Sequence, residues 1–402
     1  MNKTKLKQEG KKWVAEGIIS EQQLERILET YKQKDPNFII IVFAVLLTGL
    51  GFLTFIMSDW AQVAHFSRVF VILAAIVGLY ILGDILYRKR SELLGVSFVI
   101  LGYIVFGAGM LLILNIYTVE LFSAWPFLIW SVIGLLLYFI YEHKLIFVVG
   151  LLVTTAGQIY SGMEFASFSW LILIVFIVGY THFVYHHANY VFSYLFAISF
   201  SLQMVVLTIA NAYEYYWLIV LFLALYVIGE LLPKEILKKT FQYISLLSIF
   251  LFGMYQSFLL QESFFIQDMN LQTSFIIVWG LAILGTVILK LLTRSQLELI
   301  DLVLFLPICY LPFSYVLGLV SLFIFSIAWL LLGYRKEDHE KVLLGTVSFL
   351  LSTFTVYIQF GWDAMNKSLF FLVGGILLFS ISFFLEKQRR AIVDSNKGGN
   401  TK

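Results

Sequence analysis

The chain consists largely of long apolar segments separated by short polar breaks, and this pattern most constrains its fold. A helix that crosses a bilayer needs about 20 mostly apolar residues. Only 13% of the 402 residues are charged, whereas a soluble domain has about 25%. The sequence therefore predicts an all-α, polytopic integral membrane helical bundle with about fourteen transmembrane helices. The expected segments are 38–57, 69–87, 93–115, 124–141, 145–163, 168–185, 190–211, 215–232, 241–260, 273–292, 299–313, 315–334, 342–360 and 367–385.

The basic residues are sorted to one side of the predicted bundle. Of the 27 Lys and Arg residues, all but Arg68 and Lys367 fall on the same side if the chain alternates through these segments. Cytoplasmic loops carry the excess of Lys and Arg in membrane proteins. Both termini are therefore expected on the cytoplasmic side, with the lipid bilayer as the principal partner of the chain.

The segment 299–334 leaves two alternatives open. Arg294 and Arg335 must lie on the same side, so the chain between them crosses the membrane an even number of times. Two short spans satisfy this condition, and so does one re-entrant hairpin. Pro307 and Pro312 interrupt the segment in either case.

The first 36 residues are predicted to form a small cytoplasmic helical hairpin, separate from the transmembrane bundle at 37–390 and from a disordered cytoplasmic tail at 391–402. Ser20 and Gln23 have the spacing of a capping box, which starts a second helix after Gly17. The hairpin is either a basic segment on the membrane surface or a module that docks a cytoplasmic protein partner.

Three carboxylates lie inside or at the end of predicted spans, where charge is costly. Asp84 precedes Arg88 by four residues, Glu230 precedes Lys234 by four, and Asp301 lies near Arg294. Each is expected to form an interfacial ion pair, and Lys290 is expected to reach the same surface. The alternative is that the three carboxylates line a shared cytoplasmic vestibule.

Other polar residues of the spans define a possible polar path. His182 and His186 share one helix face, but no carboxylate or cysteine nearby completes a metal site. Such groups usually join helices by hydrogen bonds, and the alternative is that several line a polar path. The candidates for this path or vestibule are Asp84, Gln158, His182, Gln203, Glu230 and Asp301. The spans contain further amides at Asn115, Asn211, Gln242, Gln256 and Gln359.

Asp59, Trp60 and Arg68 form the most polar cluster on the predicted outer side. They are a possible outer-face site for a headgroup or substrate, and the alternative is an interface anchor. No catalytic, cofactor-binding or metal-binding signature is present in the sequence. The chain is therefore not expected to be an enzyme, to carry a cofactor or to bind nucleic acid.

Two stretches carry a resemblance to a known family. One is WVAEGIISEQQLERILETY from Trp13 to Tyr31, followed by a first span GLGFLTFIMSDW that ends at Asp59–Trp60. The other is the closing segment from Gly361 to Arg390. Both resemble the predicted bacterial membrane proteins of domain-of-unknown-function family 2157. The resemblance implies a multi-pass protein of the bacterial cytoplasmic membrane and supplies no catalytic residues.

Two functional hypotheses from different classes follow. The first is a transporter or lipid flippase, because nearly all of the structure is expected within the bilayer. It predicts polar residues that converge at mid-membrane. The second is a non-transporting scaffold or sensor whose N-terminal hairpin docks a cytoplasmic partner. It predicts a bundle in which the polar residues scatter to separate helix contacts.

The predicted topology can be tested by labelling, because Cys309 is the only cysteine. In a Cys309→Ala background, Glu214→Cys is expected to react with a membrane-impermeant maleimide in intact cells. Lys239→Cys is expected to react only after the membrane is opened. Labelling of Lys239→Cys in intact cells would contradict the predicted orientation.

Overall fold

The fold is described by a computed structural model. It describes residues 9–10, 12–14, 16–30, 38–57, 64–89, 91–260, 272–293, 296–311, 313–364, 366–376, 379 and 383. Within these ranges the regular structure is entirely helical, which confirms the all-α prediction. The α-helices are α1 (Glu21–Thr30), α2 (Phe38–Met57), α3 (His65–Lys89), α4 (Glu92–Ile116), α5 (Trp125–Tyr141), α6 (Lys144–Phe165), α7 (Trp170–His186), α8 (Tyr190–Ala210), α9 (Trp217–Leu231), α10 (Glu235–Leu259), α11 (Thr273–Leu292), α12 (Ser314–Lys336), α13 (His339–Ala364) and α14 (Lys367–Ile376).

Every predicted span except 299–313 overlaps one of these apolar helices, and 367–385 does so over its described part, Lys367–Ile376. Helix α7 contains a π-helical turn at Phe176–Tyr180. Among the described residues, 8 helices are long and apolar enough to cross a membrane. Many large apolar side chains face outwards, including Phe66 at 79% and Ile209 at 72% exposure. Such a surface belongs in lipid rather than in water. The total of fourteen spans stays a prediction.

The segment 299–313 differs from the α-helix expected there. It forms two 3₁₀ helices, Gln296–Phe305 and Ile308–Tyr310, which we call the 3₁₀ segment. A 3₁₀ helix rises about 2.0 Å per residue instead of about 1.5 Å, so a short stretch covers more length. Pro307 and Pro312 cannot donate a backbone hydrogen bond, and they therefore disfavour a continuous α-helix in this segment.

The 3₁₀ segment runs antiparallel to α9 along its whole length. Tyr310 lies beside Tyr216 at the start of α9, with 5.4 Å between ring centroids. Asp301 accepts a hydrogen bond from Tyr226 near the other end of α9. This continuous path in one direction favours two crossings in 299–334 over a re-entrant hairpin.

The helices form two compact units. The first comprises Met1–Gly157 and Ser169–Tyr180, and the second comprises Gln158–Phe168 and Thr181–Lys402. The described candidate residues Asp84 and Arg68 belong to the first unit, and Gln158, His182, Gln203, Glu230 and Asp301 belong to the second.

The N-terminal residues show the predicted helix start. The Gln23 backbone N–H donates to the Ser20 hydroxyl at 3.2 Å, and the Ser20 backbone N–H donates to the side-chain carbonyl of Gln23 at 2.9 Å. This reciprocal pair is the capping box that starts α1. Leu24 of α1 is buried against Gly10. The hairpin and the division at 1–36 and 37–390 stay predictions, and the tail at 391–402 lies outside the described residues.

Glycines let helices of the first unit approach closely. A Cβ at Gly95 of α4 would overlap the Tyr87 backbone of α3, and a Cβ at Gly107 would overlap the Trp130 ring of α5. Trp130 and Tyr103 then exchange hydrogen bonds, with the Trp130 indole donating to the Tyr103 carbonyl at 3.0 Å and the Tyr103 hydroxyl donating to the Trp130 carbonyl at 2.9 Å. Close approach of backbones is the usual means of helix association in lipid.

The Gly95→Ala substitution should destabilise the first unit, because the new methyl group meets backbone that cannot rotate away. We expect a loss of about 1–3 kcal/mol, measured as unfolding in mixed detergent micelles. Gly78→Ala is the matched control, because open space surrounds a Cβ there. Equal stability of the two variants would contradict the close α3–α4 packing.

Candidate functional site

A chain of alternating charges, buried at its centre and partly exposed at its ends, lies in the second unit. Lys238 contacts Glu230 at 2.7 Å, and Glu230 contacts Lys290 at 3.3 Å. Lys290 then contacts Glu298 at 3.1 Å, which contacts Lys341 at 3.2 Å. The Lys290 side chain is 0% exposed. We call these five residues the ion chain.

The ion chain joins the ends of five elements. Glu230 and Lys290 lie in the last turns of α9 and α11, Lys238 lies in the first turns of α10, Glu298 begins the 3₁₀ segment and Lys341 begins α13. A cation in the last turn of a helix is favoured by the helix dipole, as Lys290 is in α11. We call this end of the second unit its basic end.

Glu230 is the most fully coordinated member. Its Oε1 accepts from Lys238 and from the Thr293 hydroxyl at 3.2 Å, and its Oε2 accepts from Lys290 and from the Gln242 amide at 2.5 Å. A carboxylate offers about four lone-pair positions. Four donors therefore satisfy it without water.

Asp301 lies beside the ion chain, one step further along the 3₁₀ segment. Its two oxygens accept from the Tyr226 hydroxyl at 2.6 Å and from the Trp329 indole at 2.7 Å. The Lys290 ammonium lies 5.0 Å from the centre of the Tyr226 ring. With Asp301 included, three carboxylates face three lysines, so the cluster is neutral as a whole, which burial of charge requires.

Of the interfacial ion pairs expected from the sequence, Asp84–Arg88 forms and Glu230–Lys234 does not. Arg88 contacts Asp84 at 3.0 Å on an exposed part of α3. Glu230 contacts Lys238 and Lys290 instead of Lys234, whose ammonium donates to the Tyr185 carbonyl. The expectation that Lys290 reaches the surface is wrong, because its partners Glu230 and Glu298 hold it inside.

The expected pairing of Asp301 with Arg294 stays a prediction. Its partners are the neutral donors Tyr226 and Trp329, while the Arg294 side chain lies outside the described residues. Glu230 and Asp301 therefore meet around Lys290 and Tyr226. Asp84 contacts Arg88 in the first unit, and the shared vestibule of three carboxylates stays a prediction.

The remaining polar candidates do not share one set of contacts. Gln158 and Gln203 are both fully buried, and neither the nitrogen nor the oxygen of the Gln203 amide has a hydrogen-bond partner among the described residues. Gln359 donates to the Ser257 carbonyl at 3.2 Å. His182 is exposed and lies beside His186, with 4.2 Å between ring centroids and 33° between the ring planes. The described residues hold no group of three His, Cys, Asp or Glu side chains suited to a metal ion.

The outer-face cluster is described only in part. Arg68 is half-buried in the first turn of α3. Asp59 and Trp60 lie outside the described residues, so this site stays a prediction.

An apolar cavity of about 890 Å³ lies between α8, α9 and α10, and we call it the groove. It is open at its side, because Leu247 is 48% and Tyr255 is 59% exposed. Ser201 is 7% exposed and lines the groove, and its hydroxyl has no hydrogen-bond partner in the described part of the chain. The groove is lined by Ile198, Ser201, Leu202, Val205, Thr208, Ile209, Ala212, Tyr213, Tyr215, Leu218, Phe222, Ile244, Leu247, Ser248, Leu251, Phe252, Tyr255 and Leu259.

A second cavity of about 320 Å³ lies towards the basic end, between α8, α10, α12 and α13, and we call it the basic-end cavity. It shares Ile244 and Leu247 with the groove. Trp329 is part of its wall and also holds Asp301 beside the ion chain. The two cavities therefore share part of the α10 wall, and the Trp329 indole connects the second cavity to Asp301 beside the ion chain.

Sequence reasoning found two carboxylates of this cluster, Glu230 and Asp301, and missed the third and most of their partners. Lys238, Glu298 and Lys341 looked like ordinary loop charges near helix ends. Trp329 resembles any apolar residue of a span. The one signal for the ion chain is that lysines and carboxylates both lie near the ends of successive elements, where they can meet.

These features define a multi-pass helical membrane protein with a buried charge cluster and a lateral apolar groove. Residues 11–147 match a family model described as "Predicted membrane protein (DUF2157)". This match confirms the resemblance at Trp13–Tyr31, while Gly361–Arg390 lies beyond the matched range. No curated protein and no solved structure matches the chain.

Removal of the central lysine should destabilise the second unit strongly. Lys290→Met leaves Glu230 and Glu298 buried with less compensation, which is expected to cost about 3–5 kcal/mol. The measurement is the free energy of unfolding in mixed detergent micelles.

Arg88→Met serves as the control, because it breaks an exposed ion pair that contributes at most about 1 kcal/mol. Adding Glu230→Gln to Lys290→Met should recover part of the loss, since it removes an uncompensated charge. A Lys290→Met variant as stable as Arg88→Met would show that the ion chain does not support the fold.

Proposed function

We propose that this protein handles membrane lipid, and that the groove between α8, α9 and α10 holds a lipid acyl chain. The observation that carries the proposal is the groove itself, an apolar cavity of about 890 Å³ open at its side. Its surroundings in the membrane are lipid chains, which share its chemistry. Binding involves no covalent step, in keeping with a non-enzymatic role.

The length of the groove suits a lipid. Its wall on α10 extends from Ile244 to Leu259, about 22 Å at the helical rise of about 1.5 Å per residue. One leaflet contributes about half of the roughly 30 Å hydrocarbon core. A groove of this length accommodates the acyl chain of one leaflet and extends past the bilayer centre, as lipid movement between leaflets requires.

A polar substrate fits the described residues less well. Two of the buried amides make separate contacts, Gln359 with the Ser257 carbonyl and Gln242 with Glu230. Both cavities have mostly apolar walls. Transport of a hydrophilic solute would require these amides to share a cavity.

The scattered amides also favour the second candidate function, a non-transporting scaffold whose N-terminal segment docks a cytoplasmic partner. Residues around α1 are exposed, with Ile18 at 65% exposure. A scaffold needs no occupant in the groove, so occupancy of the groove separates the two functions.

The groove can be tested with a phospholipid that carries a photoreactive diazirine near the end of one acyl chain. Reconstituted protein should form crosslinks that map to α8 and α10 after digestion. Ser248→Phe fills the groove from α10, and we expect it to reduce these crosslinks several-fold because the acyl chain is excluded.

Ala74→Phe is the matched control, because it adds a phenyl ring at an exposed position of α3 outside the groove. Both variants should elute as single species in size-exclusion chromatography. Equal crosslinking of α8 and α10 in the two variants would overturn the proposal in favour of the scaffold.

A further inference from the structure

The basic-end cavity combines side chains that the groove lacks. Tyr194 of α8, Tyr243 of α10, Trp329 of α12 and Glu340 of α13 converge on it from four different helices. Three of them offer aromatic rings and the fourth offers a carboxylate. This set is unusual in a cavity whose other walls are mainly aliphatic.

The aromatic rings are held at steep angles to one another. Tyr243 and Trp329 lie 5.8 Å apart between centroids with 65° between their planes, and Phe325 lies 5.2 Å from Trp329. The hydrogen bond from Trp329 to Asp301 fixes the indole from behind. The cavity therefore presents ring faces and edges in a fixed arrangement.

The charge of the cavity wall comes from Glu340. The neighbouring lysines are engaged elsewhere, since Lys239 contacts Glu235 at 3.4 Å and Lys341 contacts Glu298 at 3.2 Å. Within the described part of the chain, the Glu340 carboxylate has no cation at ion-pair distance. Lys341 also lies 5.7 Å from the Trp329 ring centre, so this indole already contacts one cation.

We propose that the basic-end cavity binds the ammonium group of an amine-bearing phospholipid, such as phosphatidylethanolamine. Aromatic faces attract a cation through their quadrupole, and this is how proteins recognise ammonium ligands. Glu340 supplies the opposite charge. Ile244 and Leu247 line both cavities, so one lipid can place its headgroup here and an acyl chain in the groove.

This inference rests on the proposed lipid-handling function and names the class of lipid. A free amine is a less suitable occupant than a lipid, because the cavity borders the apolar groove and shares Ile244 and Leu247 with it. The lysines near the cavity do not favour a purely anionic headgroup, because Lys239 and Lys341 already form ion pairs with Glu235 and Glu298.

The test is native mass spectrometry of protein taken from micelles that contain equal amounts of phosphatidylethanolamine and phosphatidylglycerol. The wild-type protein should retain the ethanolamine lipid in preference. Glu340→Gln and Tyr243→Leu should each lower the ratio of the two retained lipids by about two- to fivefold, as expected for one lost cation contact. Tyr243→Phe keeps the ring and should keep the ratio, and Glu337→Gln is the control at an exposed carboxylate outside the cavity.

The outcomes separate the two proposals. An unchanged ratio in both Glu340→Gln and Tyr243→Leu overturns the headgroup assignment, even if the total amount of retained lipid shows that the groove is occupied. An unchanged total in Ser248→Phe overturns the proposed function instead. Release of the retained phospholipid by an equal concentration of free ethanolamine would show that the cavity binds a soluble amine and not a lipid.

Discussion

Burial of the Lys290 ammonium is the interaction on which the second unit depends. A charge that is 0% exposed must be compensated by partners, and Glu230 and Glu298 bring three elements together around it. Glu298 belongs to the 3₁₀ segment, so its ion pair with Lys290 also stabilises that segment. The segment's own hydrogen bonds have poorer geometry than those of an α-helix. Side chains of other helices assist it, as the Trp279 indole does by donating to the Phe305 carbonyl at 2.7 Å.

The ion chain and the cavities are coupled through one side chain. Trp329 donates to Asp301 beside the ion chain and forms a wall of the basic-end cavity. Asp301 does not line that cavity, but it holds the Trp329 indole that does, and so it contributes to the shape of the cavity. A closed, neutral charge cluster at one end and a lateral apolar groove beside it suit a protein that binds an amphiphile, because each part of the ligand meets matching chemistry.

The first unit is built on a different principle. It relies on small residues and on hydrogen bonds between aromatic side chains and backbone, as between Gly95 and Tyr87 or Tyr103 and Trp130. The family match at residues 11–147 falls within this unit. The groove, the basic-end cavity and the ion chain all lie beyond the matched range, so the family description does not bear on them.

The sequence by itself determined where the apolar helices lie, the capping box at Ser20 and the Asp84–Arg88 pair, because these depend on residues close together in the chain. Tertiary structure decided the rest: Lys290 meets Glu230 from 60 positions away, and Trp329 meets Asp301 from 28. The physical reason is that helices apolar on all sides carry no stripe to mark which face packs inwards. Their rotation and register, and hence the cavities and the ion chain, follow only from how neighbouring helices fit together.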